Sequence, residues 1–169
     1  ECCTIHRGTF QDNSLTHIGS NNLFMAYTHV AHDCMVGNHC IMANNASIAG
    51  HVHVGDHVII GGMSGVHQFC RVGDHSFIAA NALVLKDIPA YVMASGHPAK
   101  PFGLNGEGLK RRGFSSEIIL SIKRAYKEIY RKKQSVDDAL FAISQQGDSS
   151  PELELFTHSI KKSTRGIIR

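Results

Sequence analysis

Twelve of the 169 residues of this chain are histidine, many for its length. Counted in steps of eighteen from Ile18, the residues His32, Gly50 and Gln68 share one position, and His29, His51 and His67 fall within three places of it. If eighteen residues complete one lap of a repeating structure, these residues meet at one corner. Such a corner can remove a proton near neutral pH, donate hydrogen bonds to a developing oxyanion and hold a polar substrate. A glycine there leaves its N–H open to close approach. The same spacing also fits a polar corner of a repeat protein that does no chemistry. His39, His57 and His75 share a second position, following Gly-Asn, Gly-Asp and Gly-Asp. They read as a solvated ladder of turn residues.

The lap of eighteen comes from a shorter period. Stepping by six from Ile18 gives Phe24, Val30, Val36, Met42, Ile48 and onward to Val84, all apolar without exception. The residue after each is often small, as at Gly19, Ala31, Gly37 and Ala43. Four places after each, small or branched residues dominate, including Thr28, Cys34, Cys40, Val52 and Cys70. Neither a helix nor simple strand alternation produces this pattern. A repeated hexad predicts three short strands per lap of a triangular parallel β-helix, with the branched residue pointing inward and the small one beside a corner. Stacked coils then share backbone hydrogen bonds at the ~4.8 Å strand spacing and bury one continuous core. Residues 18–89 make about four such coils. Residues 1–17 break the phase, and Gln11-Asp12-Asn13-Ser14 reads as a polar loop interrupting an earlier coil. The chain starts at Glu1 and in mid-pattern, which predicts further coils upstream, because an open end exposes strand edges.

The expected organisation is a β-solenoid over residues 1–94, a Gly/Pro-rich connection over 95–114 and a helical subdomain over 115–169. In the last, Ser116 is placed to cap a helix with Ile118, Ile122, Tyr126 and Ile129 on one face. A second helix begins near Ser135, carries Leu140 and Ile143 and ends at Gly147. A third begins at Ser150-Pro151, with Leu153, Phe156 and Ile160 facing inward.

Composition narrows the function classes. Hydrophobic residues make up 43% of the chain, enough for a core, while the mean hydropathy is −0.10 and no stretch reaches the ~20 apolar residues of a membrane span. No signal peptide is visible. Five cysteines, an odd number without a Cys-x-x-Cys, argue for a reducing, cytoplasmic setting. Cys34, Cys40 and Cys70 occupy inward slots and read as structural. Charge is uneven: residues 100–169 hold 14 Lys/Arg against 8 Asp/Glu, and residues 1–99 hold 3 against 6. The basic half suits an acidic partner or is simply a set of solvated helix faces.

The hexads resemble the hexapeptide acyltransferase superfamily. Within it, six stretches resemble the UDP-N-acetylglucosamine O-acyltransferase family, which starts lipid A synthesis. They are Ile5-His6-Arg7-Gly8-Thr9, His29-Val30-Ala31-His32-Asp33-Cys34, Ile48-Ala49-Gly50-His51-Val52, Gly65-Val66-His67-Gln68-Phe69, Gly108-Leu109-Lys110-Arg111-Arg112-Gly113-Phe114 and Ser163-Thr164-Arg165-Gly166-Ile167-Ile168-Arg169. The last two are the most specific, since hexads are shared by many families. The resemblance covers essentially the whole chain and sets it against the later coils and helical tail of such an enzyme.

What the resemblance implies is a left-handed parallel β-helix, a homotrimer with sites between subunits, and no cofactor or metal. The reaction implied moves a 3-hydroxyacyl group from acyl carrier protein to the glucosamine 3-hydroxyl of UDP-N-acetylglucosamine. The motif makes His32 the general base and matches Asp33 to the residue that orients it, although strand alternation alone points Asp33 elsewhere. Gly50 N–H matches the oxyanion donor. His29, His51 and Gln68 match substrate contacts, while His67 is close by and as well explained by structure. Asn105, Glu107, Arg111 and Arg112 match the nucleotide end, where arginine's planar fork suits a diphosphate. Ala80 falls at the position that limits acyl length. The basic tail suits acyl carrier protein, which is acidic.

Other readings carry less. A zinc enzyme of the γ-carbonic anhydrase type needs His-x4-His, and no two histidines here differ by five. Nucleic-acid attraction to Lys110-Arg111-Arg112 lacks any accompanying motif. An inactive trimerising fragment shares every feature of the solenoid, and a related N-acyltransferase is disfavoured by the tail motif.

Overall fold

The computed structural model describes residues 1–10 and 14–169. Of the polar loop expected at Gln11-Asp12-Asn13-Ser14, the first three residues lie outside the described residues.

Each hexad becomes a two-residue strand and a corner. The first sheet holds β1 (Thr4–Ile5), β4 (His29–Val30), β7 (Ser47–Ile48), β10 (Gly65–Val66) and β13 (Leu83–Val84). The second holds β2 (His17–Ile18), β5 (Met35–Val36), β8 (His53–Val54) and β11 (Arg71–Val72). The third holds β3 (Leu23–Phe24), β6 (Ile41–Met42), β9 (Ile59–Ile60) and β12 (Phe77–Ile78), continued by β14 (Val92–Gly96) and β15 (Ala99–Leu104). Pairing in the coils is parallel and offset by one lap, as in His29↔Ser47 and Ser47↔Gly65. The pairing of β1 with β4 sets Thr4 against His29, so the chain between β1 and β2 carries seven residues beyond one lap. That insertion is the phase break seen in the sequence.

The stepwise apolar residues fill the prism: Val30, Val36, Met42, Ile48, Ile60 and Ile78 are all buried. Each contributes roughly 1.5–3 kcal/mol through burial of its side chain. Cys34, Cys40 and Cys70 are buried between the coils, with Cys34 Sγ donating to Ala49 O at 3.0 Å. Burial raises the thiols of Cys40 and Cys70 to about 11, which suits inert packing residues.

The corners show a rule that the hexad pattern does not announce. A left-handed φ recurs every six residues, at Asp33 (58°), His39 (56°), Asn45 (61°), His51 (60°), His57 (58°) and beyond. Asn, Asp and His tolerate this region best, but Tyr27, Met63 and Phe69 adopt it too. Stacking of identical corners, lap on lap, holds even bulky residues in this conformation.

The Gly/Pro-rich segment is structured. β14 and β15 form an antiparallel hairpin, and α1 (Gly106–Arg111) follows. Alternation within 99–104 is masked in the sequence by Pro101 and Gly103, and six residues are too short for a visible helical period. Next come α2 (Ser116–Tyr130), α3 (Val136–Ser144) and α4 (Pro151–Lys161). Ser115, not Ser116, caps α2: it is extended and its side chain accepts from Ile118 N. Ser135 caps α3, and Pro151 opens α4. Of the expected inward residues, Ile122, Tyr126, Ile129, Ile143, Leu153, Phe156 and Ile160 are buried, whereas Ile118 and Leu140 are partly buried and pack at the edge of the core.

The C-terminal tail returns to the solenoid through Asp87, which is 1% exposed. Its carboxylate accepts from Arg71 N (2.7 Å), Ser163 Oγ (2.6 Å) and Thr164 N (3.1 Å). Its main chain pairs with Gly166 and Ile168. Asp87→Ala removes the acceptor of three part-buried hydrogen bonds, each worth about 0.5–1.5 kcal/mol and more where the donor is shielded from water. The variant is expected to unfold at clearly lower temperature and to expose the tail to protease, while an unchanged melting curve would contradict this role.

Candidate active site

The corner between the first and second sheets collects the residues that the eighteen-residue count groups. The backbone links them lap to lap: His51 N donates to His32 O at 3.1 Å and Phe69 N donates to Gly50 O at 3.1 Å. His32, Gly50 and Gln68 therefore form one column. His32 lies against the α-carbon of Gly50, where an added β-carbon would meet its Cε1 at 2.7 Å and Nε2 at 2.8 Å. The His32 and His51 rings meet edge to face at 5.0 Å, and Phe69 stacks on His51 at 4.5 Å. Gln68 is exposed beyond them.

Asp33 completes the corner. Its left-handed backbone turns the side chain back beside His32, overriding the alternation that would send it elsewhere. His32 Nδ1 lies 2.9 Å from Asp33 Oδ2. The insertion between β1 and β2 supplies the rest: Thr9 N donates to both carboxylate oxygens (2.9 and 3.1 Å) and Thr9 Oγ1 donates at 2.7 Å. Thr16 Oγ1 accepts from Asp33 N at 2.9 Å. Burial pushes this carboxyl upward, but the hydrogen bonds from Thr9 and His32 outweigh it and hold the pKa at about 2. A fixed anion at Nδ1 makes Nδ1 the protonated nitrogen of a neutral His32 and leaves Nε2 to accept a proton. Thr9 and Thr16 escaped the sequence reading because they sit in the aperiodic insertion. Thr9 closes one of the stretches that carry the family resemblance, whereas only the polar content of the segment pointed to Thr16.

Beside this corner a groove of about 410 Å³ runs over the first sheet, lined by His29, Ala31, Ala49, Gly50, His67 and Leu83 among others. Its lining is mostly small and apolar, with His29 and His67 set two laps apart. His29 Nδ1 bonds Thr4 Oγ1 at 2.7 Å, and the His6 ring meets His29 edge to face at 4.8 Å. Burial, then the neighbouring His6, lowers the pKa of His29. The Gly50 N–H donates to no acceptor among the described residues, so it is available at the groove wall. Ala80 is exposed at the corner between the third and first sheets, on the far side of the same sheet face. A larger concavity, about 450 Å³, lies along the second sheet against α4 and is lined by none of the residues of the His32 column.

Asn105, Glu107, Arg111 and Arg112 are not brought to the His32 corner. They lie on and after α1, beside the corner between the second and third sheets. Asn105 caps α1 and its Nδ2 donates to His75 O at 2.8 Å. Arg112 Nη2 donates to His57 O at 3.0 Å, while its Nη1 is buried without a partner among the described residues. Glu107 pairs with Lys110 at 2.8 Å, and Arg111 is exposed. The histidine ladder at this corner is not simply solvated. His39, His57 and His75 stack at 4.8 Å spacings, and Tyr91 and Phe114 cover the His75 end. Burial, followed by the charges of His57 and Arg112, depresses His75 to about 4. Identical turns on successive laps put the rings in register, and the hairpin and α1 close over them.

The chain resembles known proteins along its whole length. Residues 87–168 match the family model described as UDP N-acetylglucosamine O-acyltransferase, domain 2, and residues 15–50 match the bacterial transferase hexapeptide model. The acyl-[acyl-carrier-protein]–UDP-N-acetylglucosamine O-acyltransferase of Pseudomonas paraeruginosa is 50% identical over 169 residues, covering 100% of this chain and 66% of its own length. The structure of LpxA from Acinetobacter baumannii superposes with a TM-score of 0.96 at 52% identity, covering 100% of this chain and 66% of that one. The UDP-N-acetylglucosamine acyltransferase of Campylobacter jejuni gives 0.90 at 34% identity, covering 99% of this chain and 68% of that one. The chain thus spans about two thirds of the length of the relatives it matches.

Proposed function

The chain belongs to the UDP-N-acetylglucosamine O-acyltransferase family, and from that membership we propose that it moves a 3-hydroxyacyl group from acyl carrier protein to the glucosamine 3-hydroxyl of UDP-N-acetylglucosamine, the first step of lipid A synthesis in the cytoplasm. The observation that carries this reading is the His32–Asp33 pair set against Gly50 beside a groove lined mainly by small and apolar residues. A sugar hydroxyl is a weak nucleophile. His32 Nε2 removes its proton as the oxygen attacks the thioester carbonyl, and ionised Asp33 steadies the imidazolium that forms. The Gly50 N–H faces the oxyanion of the tetrahedral intermediate. The proton then passes from His32 to the departing thiolate, so no acyl-enzyme is needed. His29, His51 and Gln68 hold the sugar and the head of the acyl chain.

Asn105, Glu107, Arg111 and Arg112 serve the nucleotide end from a neighbouring subunit of a homotrimer. Their place on a different corner supports this, since one chain cannot bring them to His32. Arg112 is anchored through Nη2 and keeps Nη1 for a diphosphate oxygen. The basic helices offer acyl carrier protein a complementary surface. No helix among the described residues is long and apolar enough to cross a membrane.

Ala80 bounds the acyl end. Ala80→Met is expected to shift the preferred donor to a shorter acyl chain, read by product mass after competition between donors. An unchanged chain-length profile would refute the assignment. The overall reading is tested by incubating the purified protein with 3-hydroxyacyl-acyl carrier protein and UDP-N-acetylglucosamine. Acylated nucleotide sugar that requires both substrates supports it. A well-folded trimer that forms no product would instead show assembly without turnover.

A further inference from the structure

His32, Asp33 and His51 place ligand-capable atoms within 4.8 Å of one another. His32 Nδ1 and Asp33 Oδ2 are already 2.9 Å apart, close to the ~3.3 Å between neighbouring ligands on a tetrahedral ion with bonds of about 2.0–2.1 Å. The His51 ring stands edge to face with His32, and with all ligand atoms within 4.8 Å of one another the third closes by at most roughly 1.5 Å to reach that separation. The surroundings are those of a metal site as well. Asp33 is 3% exposed and ionised, and Thr9 donates to both its oxygens, the kind of outer support that orients a ligating carboxylate. Two imidazoles and one carboxylate select a borderline-soft transition ion over Mg2+ or Ca2+. With three protein ligands, the fourth position remains for water or substrate.

We propose that this cluster binds a divalent transition-metal ion such as Zn2+, and that the bound ion inhibits the protein by occupying its general base. The ion takes His32 Nδ1 in place of the proton that faces Asp33, and that proton passes through solvent to Nε2, so the imidazole stays neutral and no proton is lost overall. No redox change and no further reactant are involved. An ion held here is an inhibitor and not a cofactor, because it leaves Nε2 protonated, with no lone pair for the substrate hydroxyl, and takes up the carboxylate that would steady the imidazolium. The inhibitory half rests on the function proposed above, whereas the binding half does not.

Calorimetric titration of the purified protein with Zn2+ is expected to show one saturable site per chain, and Co2+ to give the visible absorption of a low-coordinate nitrogen-ligated ion. His51→Asn, chosen because asparagine tolerates the left-handed φ of 60° at this corner, is expected to weaken binding roughly 10–100-fold, as is Asp33→Asn. His39→Ala, at the separate stack of rings, is expected to leave binding unchanged. In the acylation assay Zn2+ suppresses turnover and a chelator restores it. Absence of saturable binding, loss of binding in His39→Ala, or wild-type affinity in His51→Asn would each overturn the site. Binding that survives in a protein without acyl-transfer activity would overturn the inhibitory role alone.

Discussion

His32→Ala is expected to lower acyl transfer by roughly 10²–10⁴-fold, the range a positioned general base contributes, with circular dichroism and melting temperature near wild type. The fold should tolerate the change because the His32 side chain is 41% exposed and packs against the corner, not within the prism. Its backbone carbonyl still accepts from His51 N. The loss should fall mainly on kcat, since the imidazole acts as the proton is removed and contributes little to binding the nucleotide. Asp33 stays ionised wherever the protein is folded and active, because its pKa lies at about 2. Acidification in the working range therefore leaves this carboxylate charged. A variant retaining turnover within a few-fold of wild type would remove His32 from the mechanism.

Gly50→Ala is expected to be nearly as damaging while adding one methyl group. The backbone at Gly50 is not left-handed, so alanine is conformationally acceptable there. Its β-carbon would fall 2.7 Å from His32 Cε1, and a soft side chain yields before a stacked backbone does. The imidazole is pushed off Asp33, and the new methyl group screens the N–H that faces the oxyanion. Loss of one oxyanion donor alone costs about 10²–10³-fold, and displacement of the base adds to it. Comparing Gly50→Ala with the double variant carrying His32→Ala separates the two effects. If both act through the base, the double variant is no slower than His32→Ala alone. If the N–H acts independently, the losses multiply. Full activity in Gly50→Ala would exclude both roles.

The solenoid was legible because its signal is repeated. A branched residue every sixth place, with a small one after it, leaves one way to bury a continuous core, and the register of eighteen follows. The column of His32, Gly50 and Gln68 was legible for the same reason: backbone hydrogen bonds between laps convert sequence separation into position. The hairpin over 92–104 and α1 carry no such repetition. Their formation depends on the completed last coil, whose β12 pairs with β14. Ser115 and Ser116 both suit a cap, and the choice between them is made by the chain's approach from Phe114, which packs on His75.

The amino-acid sequence by itself thus determined the winding, the buried core and which residues share a corner, because these depend only on periodic burial. The tertiary structure decided where the side chains at the corner point. A left-handed φ at Asp33 directs its carboxylate to His32, and Thr9, carried in an aperiodic insertion, holds it there. It also decided that the arginines at the end of α1 stand at another corner, a relation between non-repeating and repeating parts of the chain that no period encodes.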